Sequence, residues 1–265
     1  MMDRIFCSAC KAGFVFACSL AGFLVPATAQ QKVPLLTAPT LLVDIDHRAA
    51  QSLSGPWHII ADPYRNGWGN DPSTPSLNGY AKDADASKAK GVQEYNFAEA
   101  PTLEVPGDWN SQRPELFLYE GLLWYERTFN YDPRPHTRPF LHFGAVNYKA
   151  DVFVNGLYLC THEGGFTPFD CDASLGLVIG RNSIVVAVDD TRKVDAIPTL
   201  KTDWWNYGGL TREVSLVAVP QDFIDDYSLQ LKRGTQDQLE GYVHVDGLKI
   251  PSQAEVSIPE LKLKK

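Results

Sequence analysis

The chain has 265 residues, of which 44% are hydrophobic and 21% are charged, and this composition excludes a collagen-like or wholly disordered protein. Asp and Glu number 32 against 24 Lys and Arg, so the net charge is -8. This net charge has the wrong sign for a protein that binds nucleic-acid phosphates through a basic face, and we therefore expect no nucleic-acid partner.

The first thirty residues have the pattern of a secretory signal. Asp3, Arg4 and Lys11 form a short charged start, 12–25 is apolar, and small residues follow at 27–29. The apolar run of about 14 residues is shorter than the roughly 20 that a membrane-spanning helix needs, which disfavours an uncleaved anchor. We predict a signal peptide at 1–29, an exported chain in the periplasm or outside the cell, and no membrane partner after cleavage.

Two cysteines, Cys160 and Cys171, remain after such cleavage. An exported protein meets an oxidising environment, in which two thiols can form one disulfide. A bridge that closes this loop of about 12 residues would contribute roughly 3 kcal/mol in the chain-entropy model. The alternative, two buried free thiols, fits the sequence equally well.

Short runs rich in Val, Ile, Phe, Tyr and Trp follow one another along the rest of the chain, separated by turn residues. They predict strands at Leu41–Ile45, Trp57–Ala61, Leu123–Phe129, Pro139–Phe143, Ala150–Asn155, Leu157–Cys160, Ser183–Asp189, Glu213–Val219, Ile224–Leu231, Leu239–Val245 and Ala254–Leu261. The run at 183–188 is apolar on both faces, as in a central strand, and Asn155-Gly156 predicts a hairpin turn. No window has a clean helical period, so we predict an all-β antiparallel sandwich of the jelly-roll type.

Two changes in composition predict the domain organisation. Between Tyr64 and Phe97 the chain is polar and rich in turn residues, which indicates a long functional or mobile excursion from the sandwich. A boundary falls at Val219-Pro220, and the three strands predicted beyond it are too few for a sandwich of about seven strands. We predict one sandwich domain at 30–220 and an incomplete second one at 221–265.

Several phrases occur in a characteristic order between Leu53 and Arg212. They are Leu53-Ser54-Gly55-Pro56-Trp57, Val105-Pro106-Gly107-Asp108-Trp109-Asn110, Tyr119-Glu120-Gly121 with Trp124-Tyr125, Phe143-Gly144-Ala145-Val146-Asn147-Tyr148, Val154-Asn155-Gly156, His162-Glu163-Gly164-Gly165-Phe166-Thr167-Pro168-Phe169 and Asp203-Trp204-Trp205-Asn206-Tyr207-Gly208-Gly209-Leu210-Thr211-Arg212. In this order they resemble the amino-terminal sugar-binding domain of glycoside hydrolase family 2, the β-galactosidase and β-glucuronidase family. The last phrase is more similar to glucuronidase-like members.

The resemblance implies an exported retaining β-glycosidase built from a galactose-binding-like jelly roll, an immunoglobulin-like sandwich that would begin at 221–265, and a barrel with two catalytic glutamates. In the family these glutamates belong to the barrel, and one follows an Asn-Glu phrase that this chain lacks. We therefore expect the amino-terminal, sugar-binding portion of a β-glucuronidase or β-galactosidase, truncated before the barrel, with no catalytic residue and no activity of its own. The alternative is a stand-alone secreted carbohydrate-binding module. The expected partner is a β-glucuronide or β-galactoside, and any oligomer would form through the sandwich domains.

The resemblance also places substrate contacts in one loop. It aligns Asp203 with a carboxylate that hydrogen-bonds the sugar, and a capping role in a turn is the alternative. Trp204, Trp205, Asn206 and Tyr207 complete the predicted substrate-binding set. Their rings suit a sugar face, whereas packing in a core or a domain interface is the competing interpretation.

The remaining polar motifs predict structure and not chemistry. His162-Glu163 lacks the second histidine of a zinc protease motif, and Gly164-Gly165 favours a compact loop that Phe166 and Phe169 pin to a neighbouring surface. The acids 170, 172, 189 and 190 match no calcium loop and are predicted to be solvated turn residues. No nucleotide fingerprint is present, so we expect neither a metal nor a cofactor.

Overall fold

The computed structural model describes residues 41–68, 79–81, 96–247, 255–261 and 263–264, all within the compact unit formed by 36–265. The signal peptide predicted at 1–29 lies outside the described residues, as does much of the 64–97 excursion. Nowhere in the described part is there a helix of the length and apolar character that a membrane crossing demands.

The described elements are strands, short 3-10 turns and one short helix. The strands are β1 (Ala49–Ser52), β2 (Gly55–Ala61), β3 (Thr102–Val105), β4 (Leu122–Tyr131), β5 (Thr137–Phe143), β6 (Lys149–Val154), β7 (Leu157–Glu163), β8 (Phe169–Asp172), β9 (Gly180–Asp189), β10 (Val214–Pro220), β11 (Phe223–Leu231), β12 (Leu239–Asp246), β13 (Ser257–Ile258) and β14 (Leu263–Lys264). The helix α1 (Trp109–Gln112) begins after Asp108, whose carboxylate accepts a hydrogen bond from the amide of Ser111 at 2.7 Å.

Two antiparallel sheets form the body of the molecule and confirm the predicted all-β sandwich. One sheet has the order β3-β2-β4-β9-β6-β7, and the other has the order β1-β10-β5-β8. Strand β9 is central, as its two apolar faces predicted. The turn between β6 and β7 uses Asn155 at φ 51° and Gly156 at φ 80°, which is the left-handed pair that a tight hairpin requires.

The main core lies between the two sheets. Its largest fully buried members are Trp57, Trp109 and Tyr125, and the buried Phe143 ring stacks on Phe169 with ring centroids 4.8 Å apart. A second cluster covers the outer face of the larger sheet, where Trp68 and Phe97 pack on side chains of β4, β6 and β9. The two ends of the predicted excursion therefore supply core residues, since both aromatic side chains pack on the sheet.

Five elements differ from the sequence prediction. The segment 41–45 is not a strand, because Asp44 adopts φ 60° and a 3-10 turn follows it. The edge strands β1, β3 and β8 were not predicted, and each has only four residues; β3 alternates, but only Leu103 and Val105 carry the pattern. Within 254–261, the described backbone forms only the two residues of β13 and a 3-10 turn.

Two of the three strands predicted beyond residue 220 are confirmed, and they form the hairpin β11–β12. Its cross-strand pairs place Tyr227, Leu229 and Leu231 on one face, together with Leu239 and Val243. The opposite face is polar. Four of these five apolar residues are exposed within the described part of the chain.

Candidate functional site

The predicted substrate-binding loop lies at one end of the sandwich, in the connection between β9 and β10. Its backbone is held by two other loops. The amide and carbonyl of Gly209 pair with those of Asn147 at 3.1 and 2.9 Å, and the carbonyl of Gly208 accepts from the amide of Trp109 at 2.9 Å. The loop therefore has a defined path along its second half, although it belongs to no sheet.

Asn206 is the buried anchor of the loop. Its side-chain Nδ2 donates to the carbonyl of Asp190 at 2.6 Å, and its Oδ1 accepts from Nδ2 of Asn147 at 3.0 Å. The same Asn147 nitrogen donates to the carbonyl of Tyr207 at 2.6 Å. Asn206 is 6% exposed. Its amide therefore holds the loop from within and is buried, whereas the other members of the predicted set are exposed.

The aromatic residues of the loop point outward. Trp204, Trp205 and Tyr207 are 59%, 40% and 52% exposed, so the core-packing interpretation does not hold for the described chain. Asp203 is exposed beside them. Phe117, which was not predicted, completes this aromatic surface: its ring lies 5.0 Å from that of Trp205 at an interplanar angle of 33°. We call the four aromatic residues, Phe117, Trp204, Trp205 and Tyr207, the aromatic surface, and Asp203 lies beside it.

Gly208 explains how the loop turns back into the protein. A Cβ at this position would overlap the indole of Trp109 and lie 2.5 Å from Oδ2 of Asp190. Gly209 adopts φ 138°, which side chains rarely allow. The Gly-Gly pair thus has a geometric role, and it brings the backbone into contact with buried groups.

Asn110 joins the two loops that carry the aromatic surface. Its Nδ2 donates to the carbonyls of Leu116, Phe117 and Tyr119 at 3.0 to 3.2 Å. Its Oδ1 accepts from the amide of Gly208 at 3.0 Å. One buried amide therefore connects the segment that carries the Phe117 ring to the segment that carries the tryptophans.

Asp190 lies below the same loop with no exposed surface. Burial raises the pKa of its carboxyl to about 8, and the nearby carboxylates of Glu120 and Asp189 add to this effect. Its Oδ1 accepts from the amide of Gly121 at 2.7 Å, whereas Oδ2 has no hydrogen-bond partner within the described residues. Burial also raises the pKa of Tyr125, whose ring is fully buried beneath Gly209.

The loop at 162–169, for which a compact structural role is predicted, borders the site. His162 stacks on Phe169 with ring centroids 4.3 Å apart, and burial lowers the pKa of its imidazole. Glu163 pairs with Lys193 at 2.8 Å. Gly164 adopts φ 145°, and a Cβ on Gly165 would overlap Oδ1 of Asn147. The loop therefore packs against Asn147, which hydrogen-bonds to Asn206 beneath the aromatic surface.

The prediction that Phe166 and Phe169 pin this loop to a neighbouring surface is correct for Phe169 only. Phe169 is buried in the core, whereas Phe166 is 63% exposed and pins nothing within the described residues. A disulfide between Cys160 in β7 and Cys171 in β8 closes the loop, with the two Cα atoms 5.9 Å apart. This bond links the two sheets next to the site.

The prediction of solvated acids is wrong for two of the four residues. Asp170 is fully buried, accepts from the amide of Leu42 at 2.8 Å and pairs with His142 at 2.9 Å. Asp190 is buried as described above. Both stay buried because backbone amides and a histidine replace the hydrogen bonds of water. In the described ranges there is no group of His, Cys, Asp and Glu that could hold a metal ion.

Comparisons with known proteins agree on one family. The model of the sugar binding domain of glycosyl hydrolases family 2 matches residues 51–220. The β-glucuronidase of Canis lupus familiaris is 33% identical over 160 residues, which are 49% of this chain and 25% of that protein. That of Paenibacillus borealis is 26% identical over 223 residues, 74% of this chain and 33% of that protein. The chain spans 22% to 33% of the length of the curated relatives reported for it.

Solved structures show the same fold. The Lactobacillus rhamnosus β-glucuronidase superimposes with a TM-score of 0.60 and 26% identity over 80% of this chain and 35% of that chain. The Ruminococcus gnavus β-glucuronidase in complex with D-glucuronic acid gives a TM-score of 0.63 at 22% identity, over 80% of this chain and 37% of that chain.

Proposed function

Because the chain belongs to glycosyl hydrolases family 2, whose sugar-binding domain it carries at residues 51–220, we propose that it is the sugar-binding portion of an exported β-glucuronidase-type enzyme. The names of its relatives favour a β-glucuronide over a β-galactoside as the ligand. The proposal includes export to the periplasm or beyond, which the apolar run at 12–25 supports.

The observation that carries the proposal is the aromatic surface beside Asp203. Exposed rings cost free energy in water, and monomeric proteins seldom keep several together without a ligand or partner. Trp204, Trp205 and Tyr207 project from a backbone that buried Asn206 fixes, so the surface is formed before a ligand arrives. A preorganised surface loses little entropy on binding.

The chemistry of the surface suits a sugar. Ring faces cover the apolar C–H face of a pyranose, and the Asp203 carboxylate can accept hydrogen bonds from its hydroxyls. Retaining hydrolysis needs two carboxylates about 5 to 5.5 Å apart across the glycosidic bond. We assign neither role to a residue of this chain, whose part in the reaction is to bind and orient the sugar.

Saturation-transfer NMR on the purified chain with methyl β-D-glucuronide tests the proposal. We expect weak binding, with a Kd in the millimolar range, because the loop supplies only one side of a site. Trp205→Ala should weaken it about tenfold, and Asp203→Asn by a similar factor, since each removes about 1 to 1.5 kcal/mol. Tyr64→Ala removes an aromatic ring that lies in the segment after β2 and is 83% exposed, and it should not change the Kd.

The measured affinity and activity distinguish a sugar-binding portion of an enzyme from a stand-alone binding module and from an active enzyme. Absence of saturation transfer, or equal loss with Tyr64→Ala, would contradict the proposed surface. Micromolar affinity would favour a stand-alone carbohydrate-binding module, since such a module must hold its ligand without help. A nitrophenyl β-glucuronide assay should show no turnover, and turnover would mean that a catalytic pair exists within this chain.

A further inference from the structure

Two buried side chains, those of Asn110 and Asp190, connect the loops that carry the aromatic surface, but only Asp190 can change charge. Asp190 follows β9, and its backbone amide donates to the carbonyl of Gly121 at 3.2 Å while its Oδ1 accepts from the Gly121 amide at 2.7 Å. Its own carbonyl accepts from Nδ2 of Asn206 at 2.6 Å. One residue therefore bonds to both loops.

The residues that these bonds hold are close in sequence to two rings of the surface. Phe117 is four residues before Gly121, and Trp205 directly precedes Asn206. The two rings are 5.0 Å apart although they come from loops far apart in the sequence. Since neither ring is buried, core packing does not fix their separation, which instead depends on the polar contacts beneath them.

We propose that Asp190 is a positioning residue that couples the Gly121 loop to the Asn206 loop, and through them sets the spacing of Phe117 and Trp205. The inference deepens the proposed function and rests on it for its ligand, but the ring spacing itself can be measured without a ligand.

The surroundings of Asp190 make this coupling sensitive to pH. Five titratable groups lie around Asp190: the carboxylates of Asp108, Glu120 and Asp189 and the phenols of Tyr119 and Tyr125. Glu120 pairs with Arg192, and Asp189 pairs with Arg65. Among these, no cation hydrogen-bonds to Asp190, and its Oδ2 has no partner in the described chain. Burial together with two neighbouring carboxylates favours the neutral acid.

Loss of the proton would place an uncompensated charge in the protein interior. Such a charge is costly until water reaches it, and the shortest route for water is separation of the two loops above it. The pKa of the carboxyl is about 8, so this change falls within an accessible range. Tyr119 stays protonated there, because burial raises its pKa to about 12.

The test is 19F NMR of the full chain labelled with 5-fluorotryptophan, with the Trp205 resonance assigned from Trp205→Phe. Between about pH 6 and pH 9.5 we expect the Trp205 resonance to shift with a midpoint near pH 8, and the resonance of buried Trp57 to stay in place. Asp190→Asn keeps the oxygen that accepts from Gly121 and should abolish the shift. Asp172→Asn, an acid on β8, should leave the shift unchanged.

A second variant covers the case in which Asp190→Asn does not fold. Glu120→Gln removes one of the carboxylates that disfavour ionisation, so the midpoint should move to lower pH. A Trp205 resonance that is independent of pH, a shift that persists in Asp190→Asn, or an unmoved midpoint in Glu120→Gln would each overturn the inference.

Binding of methyl β-D-glucuronide in the same titration separates this inference from the proposed function. If both hold, affinity should fall by at least about fivefold above pH 8 in the wild type and stay level in Asp190→Asn. If the resonance shifts as expected but no sugar binds at any pH, the positioning role stands and the proposed ligand is wrong.

Discussion

Replacing Gly208 by alanine tests how tightly the site loop is packed. The added Cβ would overlap the Trp109 indole and lie 2.5 Å from Oδ2 of Asp190. Neither group can yield easily: Trp109 has no exposed surface, and its Nε1 donates to the carbonyl of Tyr119 at 3.1 Å. The backbone at Gly208 is not left-handed, so the effect is purely steric.

The expected cost follows from overpacking of a buried site. Inserted carbon atoms in well-packed regions typically cost about 1 to 3 kcal/mol, and the two close contacts place Gly208→Ala at about 3 kcal/mol. For a domain of this size, that corresponds to a fall in Tm of about 6 to 12 °C. Thermal and urea unfolding followed by far-UV circular dichroism measure both quantities.

Gly180→Ala is the matched control. Its glycine has φ 89° and no atom within 4 Å of the added Cβ, so the substitution strains the backbone without a collision and should cost about 1 kcal/mol. If Gly208→Ala proves no more destabilising than Gly180→Ala, the packing around the site loop has been misjudged.

Three further predictions concern buried groups. Replacing both Cys160 and Cys171 by alanine should lower the free energy of unfolding by about 3 kcal/mol, and a variant as stable as the oxidised wild type would show that no bond forms in solution. Asp62→Ala should lower the free energy of unfolding in urea by about 3 kcal/mol. The Asp62 carboxylate accepts hydrogen bonds from the amides of Asn66 and Gly67 and from the indole of Trp124, and the alanine variant loses all three. Asp62→Asn should lower it by less. Folding raises the pKa of Asp190, so the folded state binds more protons than the unfolded state between about pH 4 and pH 8. The free energy of unfolding of the wild type should therefore fall as the pH rises through this range. An equally steep fall in Asp190→Asn would contradict this.

The sandwich could be predicted because its strands leave a direct trace in the sequence. Side chains on β9 are apolar on both faces, and this pattern fits only a strand with neighbours on either side and packing above and below. The Asn155-Gly156 turn follows from a backbone conformation that few other residue pairs adopt. Short edge strands such as β1 gave no such signal, since an exposed four-residue strand needs no apolar pattern.

The candidate site could be predicted only where one loop supplies it. The segment 203–207 was identified as a unit, and the structure places four of its five side chains on the surface. Phe117 was missed because it joins Trp205 through a contact across 88 residues, which no local pattern encodes. Asp190 was misjudged because an acid in a turn is solvated by default, and its burial depends on loops that meet only in the folded chain.

The polar anchors under the aromatic surface divide into two kinds, and this division determines where pH dependence can arise. Asn110, Asn147 and Asn206 have buried side-chain amides that donate hydrogen bonds to neighbouring segments and cannot titrate. They can satisfy backbone groups of two loops at any pH, so they hold the path of the chain. Asp190 makes hydrogen bonds of the same kind, but its own side chain can ionise. Asp190 is the acid among the described side chains that anchor these loops, so we expect pH-linked movement at the junction between Gly121 and Asn206.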